Sequence, residues 1–131
     1  WKYFPKKYQL FGAQNIDTYK LIDEADAVVF IDSALGYESL SRETPTAGIS
    51  IRKENLGGLN YFNFGYPAKI SEEGPFWTNS FNKEKINSVL DFVLNIDHKD
   101  WICAKNKYAK NISTFNNQNQ KLKNILRECL E

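Results

Sequence analysis

Residues 27–41 read AVVFIDSALGYESLS, and this stretch constrains the fold more than any other part of the chain. The apolar run Ala27-Val28-Val29-Phe30-Ile31 is short, β-branched and without alternation, which is the pattern of a strand buried on both faces of a parallel sheet. It breaks at Asp32-Ser33, and beyond Gly36 a helix is expected at about Tyr37 to Glu43. That helix must stop before Thr44-Pro45, because the residue ahead of a proline is biased away from the α region. A second strand is expected over Thr46 to Ile51. Upstream, Asp17 has the character of a helix N-cap, followed by Tyr19, Ile22 and Ala25 at helical spacing. Helix, strand, helix, strand is the order of an α/β layer with a Rossmann-like parallel sheet flanked by helices.

The rest of the chain is less regular until its last third. Residues 1–16 read as mostly loop, with a short strand at Tyr8 to Phe11. Between Arg52 and Asn82 lies a long segment rich in Gly, Asn and aromatics, and connections of that length inside compact domains are usually functional or disordered. Its many aromatic residues argue for order. The last third is helical, with apolar stripes at Ile86, Val89, Leu90 and Val93, at Trp101, Ala104, Tyr108 and Ile112, and at Leu122, Ile125, Leu126, Cys129 and Leu130. All three stripes are assigned to the core. Two convincing strands are too few for a complete doubly wound domain. With a chain that opens on Trp1 rather than Met, the expectation is a single α/β domain over 1–131 that is a fragment of a larger two-domain protein.

Charge and composition remove several function classes. Lys and Arg number 17 against 16 Asp and Glu, so no bulk electrostatic attraction to nucleic acid or to an anionic membrane is implied, and an anion must be bound locally. The longest apolar run, 27–31, is far short of the roughly 20 residues that cross a bilayer. Cys103 and Cys129 have neither the density of a disulfide scaffold nor the spacing of a zinc site, and suit a reducing cytosol. Asn111-Ile112-Ser113 matches a glycosylation sequon and is read as chance. With no clustered His, Cys or Asp set, no metal site is expected. Neither G-x-G-x-x-G nor G-x-x-x-x-G-K-[ST] occurs, so dinucleotide oxidoreduction and P-loop hydrolysis have no support.

The strand-to-helix turn is the candidate site. In open α/β sheets ligands sit outside the carboxyl ends of the strands, where helix N-termini offer unpaired N–H groups and partial positive charge to a phosphate. Ser33 adds a hydroxyl, Gly36 permits close approach to the backbone, and Asp32 or Glu38 can accept hydrogen bonds from sugar hydroxyls. The plain alternative stands beside this one: Ser33 caps a helix, Gly36 serves a tight turn, and Glu38 pairs with Arg42 four residues on. Arg52, just past the second strand, either neutralises a donor phosphate or forms an ordinary salt bridge. Phe76 and Trp77 either stack on a base or sugar or plug the core. His98 is a better helix cap than an acid-base catalyst, and the adjacent Glu72-Glu73 cannot be assumed to flank one glycosidic bond.

The run Ala25 to Leu40 (ADAVVFIDSALGYESL), with Thr44-Pro45 beyond it, resembles the carboxy-terminal nucleotide-binding half of GT-B glycosyltransferases, closest to bacterial surface-carbohydrate enzymes including the capsule-type Kdo transferases. The match spans about 25 residues. Phe64-Gly65-Tyr66-Pro67 and Glu73-Gly74-Pro75-Phe76-Trp77-Thr78-Asn79 look like a signature of surface polysaccharide or lipopolysaccharide biosynthesis proteins. The resemblance implies a nucleotide-sugar donor, a CMP-linked one among the candidates, held at its phosphates by Ser33, Ala34, Leu35 and Gly36 and at its ribose by Glu38. It further implies a glycan acceptor, a catalytic base from another domain, and no activity in this chain alone. A location in the cytoplasm or at the inner face of the membrane would suit such an enzyme. Two alternatives remain: a polysaccharide pyruvyl transferase-like enzyme on the same scaffold, and a non-catalytic interaction domain using the 57–81 segment.

Overall fold

A computed structural model describes residues 17–52, 56–113 and 116–130. The strand expected at Tyr8 to Phe11 lies outside them. Helix α1 (Thr18–Glu24) starts at Asp17, whose carboxylate accepts from the Tyr19 and Lys20 amides at 3.1 and 3.2 Å. Strand β1 (Val28–Phe30) leads into α2 (Ala34–Ser41), and β2 (Thr46–Ile49) follows. Short strands β3 (Glu73–Gly74) and β4 (Trp77–Thr78) come next. Helices α3 (Lys83–Asn95), α4 (His98–Tyr108) and α5 (Gln120–Leu130) complete the chain. Asn82 and Asp97 cap α3 and α4 by accepting from the Lys85 and Asp100 amides, each filling one of the bonds a helix start leaves open.

The α/β class expected from sequence is what the chain adopts, with a mixed sheet in the order β1-β2-β4-β3. Strands β1, β2 and β4 run parallel, and β3 is antiparallel to β4. Among the described residues the sheet thus has four strands where sequence showed two. The added pair is only two residues per strand, too short for any periodicity to register, and sits inside what reads as an aromatic loop.

Strand β1 corrects one expectation: among the described residues it is the border strand, and it is buried on one face. Phe30 is buried, whereas Val29 is 52% and Ile31 45% exposed. Register pairs Phe30 with Gly48 and Val29 with Ala47, so alternation divides the side chains between two helical layers. Helix α2 covers the Phe30 and Thr46 side, where the Ser39 and Thr46 hydroxyls share a 2.9 Å hydrogen bond. Helix α3 contacts β2 and β4, burying Ala47 and leaving Val29 uncovered.

Two glycines make the α2 side possible. A Cβ at Gly36 would lie 2.0 Å from Phe30 Cγ, and one at Gly48 would lie 2.4 Å from Phe64 Cδ2. Each therefore admits an aromatic ring flat against the backbone. Phe64 stacks on Trp77 at 5.3 Å and on Tyr37 at 5.7 Å, joining the aromatic segment to β4 and α2. Phe76 meets Trp101 of α4 edge-on at 5.1 Å on the opposite side of the sheet. Phe76 and Trp77 are thus core residues, at 0% and 1% exposure. Burying rings of this size contributes about 1.5–3 kcal/mol each, more than any stacking role in a loop would require.

Three helix boundaries or faces differ from expectation. Helix α2 begins at Ala34 rather than near Tyr37, because Ser33 caps it directly. Helix α4 ends at Tyr108, so Ile112 packs against the core from the turn beyond it. The third apolar stripe is not core: Leu122, Ile125, Leu126 and Leu130 are all more than half exposed, and α5 buries no residue. Spacing showed its amphipathicity and could not show whether a partner surface lies within this chain.

Candidate functional site

Asp32, Ser33 and Arg52 meet where β1 and β2 end. Because the strands are parallel, both carboxyl ends open on one side, and the Arg52 Nη1 reaches the Asp32 Oδ2 at 2.8 Å. Of the two roles open for Arg52, the ion pair is the one formed in this state. Both side chains remain substantially exposed, so the pair itself contributes little to stability. Its effect is positional: it holds a guanidinium across the mouth of the turn.

The helix start is only partly open. The Leu35 amide donates to Ser33 Oγ at 3.2 Å, and the Gly36 amide donates to the Ser33 carbonyl at 3.0 Å. Gly36 is itself buried beneath the Phe30 ring. The Ala34 amide has no partner among the described residues, and Ala34 is exposed. Ser33 Oγ accepts from Leu35 and keeps its own proton to donate. Three donors are thus exposed at this end of the sheet: the Ser33 hydroxyl, the Ala34 amide and the Arg52 guanidinium held by Asp32.

Beside them is a hollow of about 250 Å³. Asp32, Tyr37 and Ser50 line its sheet side, and Tyr61, Asn63 and Tyr66 its loop side. The loop is fastened from below by several bonds. Ser50 Oγ donates to the Phe62 carbonyl, the Phe64 amide donates to Asn79 Oδ1 at 2.8 Å, and the Gly65 amide donates to Tyr37 Oη at 2.8 Å. Burial pushes the Tyr37 phenol above its ordinary value, against the Gly65 hydrogen bond and with help from the Asp32 charge, so it stays protonated. Asn63 Oδ1 is buried with no hydrogen-bond partner among the described residues, while its amide nitrogen reaches Glu72 Oε1 at 3.3 Å.

Tyr37, Ser50, Tyr61 and Asn63 were given no site role from sequence, and Tyr66 stood only within the Phe64-Gly65-Tyr66-Pro67 signature. Their signal was the length of the aromatic connection, which marks a functional segment without saying which residues face the strand ends. Glu38 lies outside the hollow's lining, and so do Ser33, Ala34, Leu35, Gly36 and Arg52; of the polar residues weighed at the turn only Asp32 lines it. The Glu38 carboxylate, close to the Tyr19 hydroxyl, pushes that phenol above its ordinary value. Arg42 does not pair with Glu38 as spacing suggested but with Asp23 of α1, Nε to Oδ1 at 2.7 Å, and the bond holds the Asp23 carboxyl below its usual range.

The remaining candidates fall elsewhere. Glu72 accepts from Asn63 and Asn79, and Glu73 pairs with Lys85, so the two carboxylates serve different contacts. His98 opens α4 and borders a hollow of about 620 Å³ with Arg42, Glu43 and Pro45. That hollow is larger but lies at the end where the strands begin, away from the end that binds ligands in open α/β sheets. Among the described residues, no group of three or more His, Cys, Asp or Glu could hold a metal ion. No described helix is long and apolar enough to cross a membrane.

A family model described as "putative O-antigen biosynthesis protein" matches residues 2–130. The chain belongs to that family. Membership connects it with assembly of surface carbohydrate, the role the resemblance implied, and leaves the chemistry open. Comparison with curated proteins and with solved structures returned no match.

Proposed function

We propose that this member of the O-antigen biosynthesis family forms the donor-binding part of a glycosyltransferase, taking a nucleotide-linked sugar at the carboxyl ends of β1 and β2. The observation that carries the reading is that Arg52, paired with Asp32 of the hollow's lining, and the Ser33 hydroxyl and Ala34 amide that follow Asp32 in the chain are all exposed at the strand ends beside an aromatic-walled hollow. A phosphate oxygen takes the two neutral donors at the helix start, and Arg52 turns from Asp32 to a second oxygen. Tyr61 and Tyr66, both more than half exposed, offer faces to a base or sugar.

The chemistry follows from charge. Transfer of a glycosyl group leaves negative charge on the departing phosphate, and donors fixed in advance of that charge lower the barrier without a metal. Asp32 has a second role here: while it holds Arg52, the guanidinium is oriented and its charge is balanced until an anion arrives. The acceptor's proton must be taken by a base, which we assign to another domain of the full enzyme, so this chain alone is expected to bind a donor without turning it over.

Thermal denaturation with saturating CMP, UDP, GDP and phosphoenolpyruvate tests the reading. A ligand at 100 times its Kd adds about 2.7 kcal/mol of stability. Stabilisation by one of the three nucleotides, abolished by Arg52→Ala, is the expected result. Stabilisation by phosphoenolpyruvate alone would move the assignment to pyruvyl transfer, and no response to any of them would contradict a donor site.

A further inference from the structure

Helix α5 has a face that no described residue buries, and elsewhere the chain has a groove that suits that face. On a helical wheel Leu122, Ile125, Leu126, Cys129 and Leu130 form one continuous stripe, with Lys121 and Lys123 on its two borders and Arg127 behind. Every apolar residue of this stripe is exposed. The groove lies between α3 and α4, a helical hairpin joined only by Ile96 and Asp97, and has a volume of about 570 Å³. Phe92, Ile96, Ala104 and Tyr108 supply its apolar walls, and Asp91, Asp100 and Lys107 stand at its rim.

We propose that two copies of this chain pair by exchange, each laying its α5 into the other's α3–α4 groove. Two observations select a second copy as the occupant. The first is charge: α5 carries Lys121, Lys123 and Arg127 against a single acid, Glu128, while the groove rim carries two carboxylates and one lysine. Seating the helix brings opposite charges together along both borders and buries the leucines between them.

The second is that both surfaces stand open in one structure: the apolar residues of α5 are exposed, and so is Cys103 in the groove, so α5 does not occupy the groove of its own copy. Reciprocal exchange between two copies closes as a two-fold pair and seats both helices at once. The pairing is independent of the donor site, which lies at the strand ends.

The two native cysteines provide the test. Cys103 is in the groove and Cys129 is on the apolar stripe, and both are free and exposed. Exchange brings Cys103 of one copy near Cys129 of the other, and added diamide oxidises such a pair when the Cα atoms come within about 4–7 Å. The purified chain should elute as a dimer by light scattering and give a covalent dimer on a non-reducing gel. That covalent dimer should be lost in both Cys103→Ser and Cys129→Ser. Ile125→Asp, on a helix that buries nothing of its own chain, should weaken the dimer by about 30-fold or more while leaving the circular dichroism of the body unchanged. A covalent dimer surviving Cys103→Ser means that α5 pairs with α5, and a monomer with an internal Cys103–Cys129 bridge means that the helix folds back; either overturns the exchange. So does a monomer at tens of micromolar, including one recruited through α5 by phosphatidylglycerol vesicles.

Discussion

Replacing Gly36 by alanine separates the packing account from helix propensity, because the two predict opposite signs. In a helix interior the change by itself stabilises by about 1 kcal/mol. Here the new Cβ would lie 2.0, 2.3 and 2.4 Å from Phe30 Cγ, Cδ2 and Cδ1, where carbon atoms prefer about 3.5–4.0 Å. The contact is with the base of the ring, so a change of rotamer cannot simply carry the ring clear. Tyr37 stands 5.1 Å away on one flank and Phe64 6.0 Å on another. Either α2 lifts off β1 or the Phe30 ring leaves the core, and forced overpacking of this kind costs about 1–3 kcal/mol or more. Loss of the ring's burial would bring the cost toward the roughly 3–5 kcal/mol of a large-to-small change. After the propensity gain, Gly36→Ala should lose about 2 kcal/mol in urea denaturation and lower Tm by roughly 6–10 °C. Phe30→Leu should absorb part of this, so the double variant should show a coupling of about 1 kcal/mol. A Gly36→Ala protein as stable as the parent, or more so, would refute the close α2–β1 contact and the position of the helix start that depends on it.

Other expectations follow from single contacts. Arg52→Ala should weaken nucleotide binding about tenfold or more in calorimetry, while Asp32→Asn, by releasing the guanidinium, should tighten it and steepen its salt dependence. Glu43→Gln removes the carboxylate 3.5 Å from Lys105, whose side chain is only 10% exposed, and should cost about 1–3 kcal/mol in denaturant titration. Asp23 titrates below its ordinary value because Arg42 binds it, so its contribution is complete above about pH 4 and is lost as pH falls through the lowered value. Asp23→Asn should therefore flatten the acid limb of the stability curve and leave the neutral-to-alkaline limb unchanged in slope.

What the sequence displayed well were features set by neighbouring residues. The Asp17 and Ser33 caps, the parallel pair β1 and β2, and the stops before Thr44-Pro45 all depend on local backbone chemistry. Features set by distant partners were hidden. Strands β3 and β4 exist because Gly48 and Ile49 pair with Trp77 and Thr78 across a long connection, which no window on the sequence contains. The exposure of Val29 depends on where α3 stops, and the exposure of α5 on a surface its own chain does not bring to it. At the site the same division holds. That Ser33 and Arg52 stand at the strand ends was legible from the strand boundaries, whereas Tyr37, Ser50 and Asn63 are brought to the hollow by the fold of the aromatic segment over Gly48. Gly36 shows how one residue type fits two accounts: its lack of a side chain admits the Phe30 ring, an event 2 Å away and six residues back in the chain.

Amide chemical-shift mapping during titration with CMP, UDP and GDP tests the donor-site claim most directly. The account predicts that one nucleotide moves the Ser33, Ala34 and Arg52 amides together with Tyr61 and Tyr66, and that the same titration of Arg52→Ala moves them far less. Shifts confined to the hollow around His98 or to the α3–α4 groove, or no saturable shift with any of the three, would contradict it.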